Sequence, residues 1–118
     1  MPLLNGHLRA KLLANGRRQA DLKGKPQEVD FQPVVRLFTP DAPCTWLLTE
    51  LDPADQDIAF GLCDLGMGCP ELGNVRLSEL ERVRGRLGLP VEVDRFFRPK
   101  RALSDCAAAA RKAGRIVD

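Results

Sequence analysis

The chain has 118 residues, of which 44% are hydrophobic and 29% charged, and its net charge is +2. This length suits one domain with a hydrophobic core, and the composition excludes an intrinsically disordered chain. No apolar run approaches the roughly 20 residues that span a bilayer, and the opening MPLLNGHLRAKLLANG lacks a secretory pattern. We therefore expect a cytoplasmic protein without a membrane partner.

The charges are segregated along the chain. Between Leu37 and Val75 there is no lysine or arginine, but there are seven acidic residues: Asp41, Glu50, Asp52, Asp55, Asp57, Asp64 and Glu71. The flanking segments are basic, with seven basic against three acidic residues in 1–36 and eleven against six in 76–118. Such a bipolar distribution acts mainly on the choice of partner and on the rate of association.

The N-terminal part predicts a helix followed by a polar connector. Residues 5–15 have amphipathic spacing, with Asn5 as the N-cap and Gly16 as the stop. The next stretch, 17–32, combines glycine, proline and charge without periodicity. We therefore divide the chain into an N-terminal helix and connector, residues 1–32, and a globular domain, residues 33–118.

Three strands follow, predicted by the runs VVRLFTP, TWLLTEL and DIAFGLCDL. The last two are joined by DPADQD, whose Asp and Pro residues suit a turn, so they form a β-hairpin. In the third strand Ile58, Phe60 and Leu62 share a bulky face, and the opposite face carries small residues on which another element can pack closely.

The glycine-rich segment GLCDLGMGCPELGN comes next. It matches neither a phosphate-binding loop nor a dinucleotide-binding fingerprint. We interpret it as a tight connector in which Gly66, Gly68 and Gly73 supply positive φ or close backbone approach, and which presents a surface.

The C-terminal part predicts a helix, a strand and a second helix. The first helix runs from Ser78, which has capping-box spacing to Glu81, and buries the face formed by Leu80, Val83 and Leu87. Residues 91–96 alternate as a short edge strand. The last helix starts at Ser104 and stops at Gly114, with Cys106, Ala107 and Ala110 on a face of small residues.

This order of elements predicts an α+β fold. Consecutive strands joined by a short turn favour a small antiparallel sheet of three to four strands, covered by helices on one face.

The four cysteines are predicted to be free thiols. There is no CxxC pair, and the only histidine, His7, is remote from them in sequence, so we predict no metal site and no cofactor. Cys63 and Cys69 flank the glycine-rich segment, which leaves a redox or metal pair as an alternative.

Two surfaces are candidates for function. The first is a protein-binding surface on the acidic hairpin and the glycine-rich segment, formed by Glu50, Asp52, Asp55, Asp57, Asp64, Met67 and Glu71. The alternative is a nucleic-acid surface around RFFRPKR, where cations alternate with rings that can stack on bases; it comprises Arg82, Arg86, Arg95, Arg98, Lys100 and Arg101. A second alternative is metal-dependent hydrolysis by Asp52, Asp57, Asp64 or Glu71, although no motif singles out a catalytic residue.

Residues 34–116 resemble a small bacterial family, the domain of unknown function 2958. The sequence words that carry the resemblance are TWLLTELD, AFGLCDLG, PELG and the final pattern FRP...LS...AR.AGRI. The chain departs from the family pattern at Asn74 and Cys106, where aromatic residues are usual. The resemblance implies a protein carried by conjugative plasmids and integrative elements, and it supplies no functional residues. We therefore expect a non-enzymatic protein of a mobile genetic element that binds a host or element protein, in counter-defence or in the regulation of transfer.

Overall fold

The computed structural model describes residues 2–118. Its elements in chain order are α1 (Gly6–Ala20), β1 (Val35–Phe38), β2 (Thr45–Leu51), β3 (Ile58–Asp64), β4 (Glu71–Arg76), α2 (Leu77–Leu80), β5 (Glu92–Val93) and α3 (Leu103–Ala113). No helix within residues 2–118 has both the length and the apolar character that crossing a bilayer would require.

The strands form one open antiparallel sheet with the order β4-β3-β2-β1-β5. The predicted α+β class is confirmed, but the count of three to four strands is wrong because the sheet has five. The missed strand is β4, whose sequence ELGNVR begins inside the segment interpreted as a connector. Its two polar ends and central glycine hide the strand pattern, and pairing with β3 along its whole length overrides that weak propensity.

Helices cover both faces of the sheet, so the prediction of helices on one face is wrong. On one face Leu12 of α1 and Leu80 of α2 join a core with Trp46, Leu48 and Leu51 of β2. On the other face α3 packs its small residues Cys106, Ala107 and Ala110 against Leu47 and Leu62. The consecutive residues Leu47 and Leu48 lie in different cores because neighbouring side chains of a strand point to opposite faces of the sheet. Strand β2 is therefore buried on both faces.

Helix α1 begins as predicted and ends later than predicted. The Asn5 side chain accepts a hydrogen bond from the Leu8 N–H at 2.8 Å, which confirms the N-cap. Gly16 is not a stop: it lies within the helix, where a Cβ would overlap the carbonyl oxygen of Leu51. The glycine therefore allows α1 to approach β2 closely, and the helix continues to Ala20.

The predicted helix from Ser78 to Leu87 is wrong beyond its first turn. Helix α2 stops at Leu80, and the chain then forms a loop closed by a bridge between Arg84 and Pro90. Asp41 holds this loop, since its carboxylate accepts from the N–H groups of Leu87 at 2.6 Å and Leu89 at 3.3 Å. This tertiary contact outweighs the helical pattern, and Leu87, expected in the core, is 80% exposed.

The short strand predicted at residues 91–96 is confirmed at the sheet edge, although β5 contains only two residues. Helix α3 ends at Gly114, whose φ of 75° is left-handed, as predicted.

The two serines predicted as N-caps do not cap their helices. Ser78 and Ser104 lie in the first turns, and their N–H groups donate to aspartates elsewhere in the chain. Asp57 accepts from Ser78 at 2.9 Å, and Asp30 accepts from Ser104 at 3.2 Å. The Ser104 hydroxyl also bonds to Asp30. Both helix starts therefore depend on contacts distant in sequence.

Candidate functional site

The seven acidic residues of the middle segment are divided between opposite ends of the sheet. Glu50, Asp52, Asp55 and Asp57 lie at or near the β2–β3 turn, where Leu51 pairs with Ala59. Asp41, Asp64 and Glu71 lie at the other end of the strands, where Thr45 pairs with Asp64 and Cys63 with Glu71. Seven-residue strands separate these ends by roughly 20 Å. The acidic stretch therefore does not form one face.

The carboxylates of the β2–β3 turn already have partners within the chain. Asp55 and Asp57 bind the guanidinium of Arg76 at 3.1 and 3.6 Å. The Ser78 hydroxyl, which donates to Asp57 at 2.7 Å, is the main cause that lowers the pKa of Asp57. Asp52 accepts from the Ala54 N–H at 2.8 Å, which closes the turn. The structure thus gives these residues local roles that sequence spacing did not reveal.

Asp64 and Glu71 differ in exposure although they lie at the same end of the sheet. Asp64 is buried, and its carboxylate accepts from the N–H groups of Gly66 at 2.8 Å and Ile116 at 2.9 Å. Glu71 is exposed at the start of β4. Within residues 2–118 no three histidine, cysteine or acidic side chains come together to hold a metal ion.

Three loops meet at this end of the sheet and expose four large apolar side chains. Residues 39–44 lie between the other two loops, because Gly66 packs against Pro43 while Asp41 binds the loop at 84–90. The exposed side chains are Leu65, Met67, Leu87 and Leu89. We call these four residues the three-loop surface. Of its members the sequence predicts only Met67, which is 73% exposed, in a binding surface, whereas Leu87 was expected in the core. Gly66 and Gly68 have positive φ here as predicted, whereas Gly73 lies in β4 with an ordinary φ.

The cysteines are all free thiols in this structure. Burial raises the pKa of Cys63 to about 11, and that of Cys106 to about 11. Cys63 packs against the core under α1, opposite Trp46, whereas Cys69 is exposed. A thiol with a pKa of about 11 carries almost no thiolate at neutral pH, which argues against a reactive Cys63/Cys69 pair.

The two phenylalanines of the basic loop after β5 differ in exposure. Phe97 packs against the core under α3, but Phe96 is 88% exposed. The loop is held by Asp94, which accepts from the Phe96 N–H at 2.9 Å and pairs with Arg36 at 3.1 Å. The cations Arg82, Arg86, Arg95, Arg98 and Lys100 are exposed, whereas Arg101 is engaged by two hydrogen bonds to Asp118.

A cleft lies above the end of the sheet that carries Glu50. Glu50, Phe60 and Asn74 are paired across β2, β3 and β4, which places their side chains in one row on the same face. Gln19, Lys23 and Glu28, from the end of α1 and the connector, form the wall. We call these six residues the Glu50 cleft. Its cavity of about 200 Å³ adjoins a second one of about 310 Å³ that shares Glu28, Glu50 and Phe60.

Sequence reasoning named Glu50 but not the cleft, because the row depends on register across three strands. A β-bulge between Leu48 and Glu50 sets that register. Burial is the main cause that raises the pKa of Glu50 above its ordinary value. Its carboxylate accepts a hydrogen bond from the Thr49 hydroxyl at 3.3 Å, and this contact and the Gln19 side chain act in the opposite direction on the pKa.

An open antiparallel sheet between helices defines a two-faced α+β domain. Residues 3–117 match the family described as "Protein of unknown function (DUF2958)", and the chain belongs to this family. No curated protein and no solved structure matches the chain.

Proposed function

We propose that this protein is a non-enzymatic interaction domain that binds another protein through the three-loop surface. The observation that carries the proposal is the exposure of Leu65, Met67, Leu87 and Leu89 on two loops at one end of the sheet, which the 39–44 loop connects. Single exposed apolar residues are common on protein surfaces, but a group of them on adjoining loops is typical of an interaction site.

The construction of the loops supports this role. Asp41 and Pro43 brace the loops on either side of them, so the apolar side chains stand on a backbone that is held before a partner arrives. A surface that is already ordered loses less conformational entropy on binding. The rim carries both charges, with Glu71 exposed at the start of β4 and Arg86 exposed next to Leu87, so the partner we propose is apolar at its centre with a polar rim.

The acidic turn contributes less to this proposal than its charge suggests. Asp55 and Asp57 are paired with Arg76, and they lie at the far end of the sheet from Met67. We propose that the partner is a protein of the host or of a mobile element, which is the setting that the family resemblance implies.

The test is affinity capture from a nuclease-treated bacterial lysate with the intact protein and the double variant Leu65→Ser/Met67→Ser. Both side chains are exposed, so the variant should fold normally. A bound protein should be retained by the intact chain and weakened at least tenfold by the double substitution, since two anchors of about 1 kcal/mol or more are removed. Phe96→Ala, which removes an exposed ring elsewhere, is the matched control. Equal capture by all three proteins would contradict the proposal.

A second candidate function is binding of single-stranded nucleic acid, and the exposed ring of Phe96 favours it. An aromatic ring that is 88% exposed and flanked by Arg95, Arg98 and Lys100 offers a stacking platform within phosphate-binding cations. The ring can stack only on a base that is unpaired, which favours a single strand over a duplex.

The measurement is fluorescence anisotropy with a labelled single-stranded DNA at low salt. We expect Phe96→Ala to weaken binding about tenfold, because stacking on one base contributes roughly 1–3 kcal/mol. Replacing Arg98 and Lys100 by Ala should reduce the salt dependence instead. Leu65→Ser/Met67→Ser now serves as the control. If Phe96→Ala bound as tightly as the intact chain, the stacking role would be wrong.

A further inference from the structure

The Glu50 cleft holds a carboxylate that the fold half-buries without supplying a matching cation. The ion pairs within residues 2–118 join Arg36, Arg76 and Arg101 to other carboxylates. Lys23 lies near enough to act on Glu50 through space, but it is exposed, and Glu28 opposes it with a like charge. Removing a carboxylate from water without a counterion is unfavourable unless another group compensates for it.

The groups around Glu50 indicate which class of ligand would compensate for its half-buried charge. The carboxylates of Glu28, Glu50 and Asp52 line the same cavity as the single cation Lys23, so its charge is negative. Beside Glu50, the Phe60 ring is half-buried in the row of paired residues and forms the apolar part of the floor. A negative site with an aromatic floor suits a cation that carries a hydrocarbon stem, since the ring attracts the charge and covers the stem.

The charge and the volume of the cleft narrow the class of ligand further. The phosphates of a nucleotide are negatively charged, and the acidic lining repels them. The cavity of about 200 Å³ holds an alkyl chain of a few carbons with one charged end group, and the adjoining cavity of about 310 Å³ leaves room for the rest of a larger ligand. A bare metal ion would make no contact that uses the Phe60 ring. Two of the three carboxylates, those of Glu28 and Asp52, also belong to exposed residues, which makes them weak candidates for metal ligands.

We propose that the Glu50 cleft binds an alkyl guanidinium or alkyl amine, with the charged end on the Glu50 carboxylate and the stem on the Phe60 ring. This chemistry occurs both in small free amines and in the arginine or lysine side chain of another protein. The site is independent of the three-loop surface, which lies at the opposite end of the sheet.

The test is an NMR titration of the isotope-labelled protein with butylguanidinium and with butylurea, its neutral isostere. We expect butylguanidinium to shift the amide resonances of Glu50, Phe60 and Asn74 and to bind at least tenfold more tightly than butylurea. Glu50→Gln should weaken butylguanidinium binding at least tenfold, because the neutral amide cannot form the charge-assisted hydrogen bond to the guanidinium. Glu71→Gln, the same change at an exposed carboxylate, should leave it unaltered.

A parallel titration with the peptide acetyl-Gly-Arg-Gly-amide identifies the source of the cation. Tighter binding of the peptide than of butylguanidinium assigns the cleft to an arginine side chain of a partner protein. Equal or weaker binding assigns it to a free small cation. Equal binding of butylguanidinium and butylurea, equal binding by the intact chain and Glu50→Gln, or no binding of any probe would overturn the proposal. The amide spectrum of each variant reports directly whether it is folded.

Discussion

At Glu50 the stability of the fold and the proposed binding of a cation place opposite demands on the charge of the carboxylate. Its carboxyl group is more easily protonated in the folded chain than in the unfolded one, because burial raises its pKa. Between the ordinary pKa and the raised one, the folded state binds more protons than the unfolded state. The contribution of Glu50 to stability therefore falls as the pH rises through this window, and it stays unfavourable at neutral pH.

We predict that Glu50→Gln makes the protein more stable than the intact chain at pH 7. The neutral amide keeps the shape of the side chain and removes the buried charge. The advantage should shrink on acidification and vanish below the ordinary glutamate pKa, where Glu50 is protonated in both states. Denaturant unfolding of the two proteins at a series of pH values measures this difference. Glu71→Gln should show no comparable gain, and lower stability of Glu50→Gln at pH 7 would contradict the argument.

For single residues, the sequence predicted which acidic side chains would matter, but it did not predict the role of each one. It singled out Glu50, Asp57 and Asp64 as acids in a basic-free stretch, but burial and partners separate them. Asp64 binds two backbone N–H groups, Asp57 holds the start of α2, and Glu50 faces a cleft. These differences arise from contacts across strands, which spacing along the chain does not encode.

Among the elements, α1 shows how a local rule can be reversed by packing. Glycine inside a helix is unfavourable by about 1 kcal/mol relative to alanine, and for that reason Gly16 was predicted to end the helix. In the structure Gly16 lies against the backbone of Leu51, and the three nearest neighbours of a new methyl group would be backbone atoms that cannot rotate away. The cost of overlap exceeds the gain in helix propensity.

We therefore predict that Gly16→Ala lowers the free energy of unfolding by about 1–3 kcal/mol, the usual effect of overpacking. Helix propensity alone predicts the opposite sign. Gly6→Ala is the matched control, because open space surrounds that position in the same helix. Denaturant midpoints of the two variants measure the difference, and a stabilised Gly16→Ala would show that α1 does not approach β2 as closely as described.

The helix ends that were predicted correctly are those specified by contacts close in sequence. The N-cap of α1 and the left-handed stop of α3 each involve residues within one helical turn. The helix predicted beyond Leu80 failed because Asp41, which holds the competing loop, lies 46 residues before Leu87. Strand β4 was missed because it exists only through its pairing with β3.

The whole molecule separates its candidate binding regions instead of combining them. The apolar three-loop surface occupies one end of the sheet, and the Glu50 cleft lies at the other. The exposed Phe96 stands beyond the short edge strand β5. Substitutions in one region are therefore expected to leave the other two unchanged, since sites that share no partners act additively.

The contact between Asp30 and Ser104 has a consequence for a chain that is still being synthesised. The acceptor is made 74 residues before its donor. At 5–20 residues per second, roughly 4 to 15 s pass before α3 can reach the aspartate. Leu62 is made 42 residues before Ser104, so for roughly 2 to 8 s Leu47 and Leu62, the residues that α3 covers, remain exposed on a sheet whose other face can already be closed by α1. The nascent protein is thus a one-sided sheet for several seconds, and this is the period in which aggregation competes most strongly with folding.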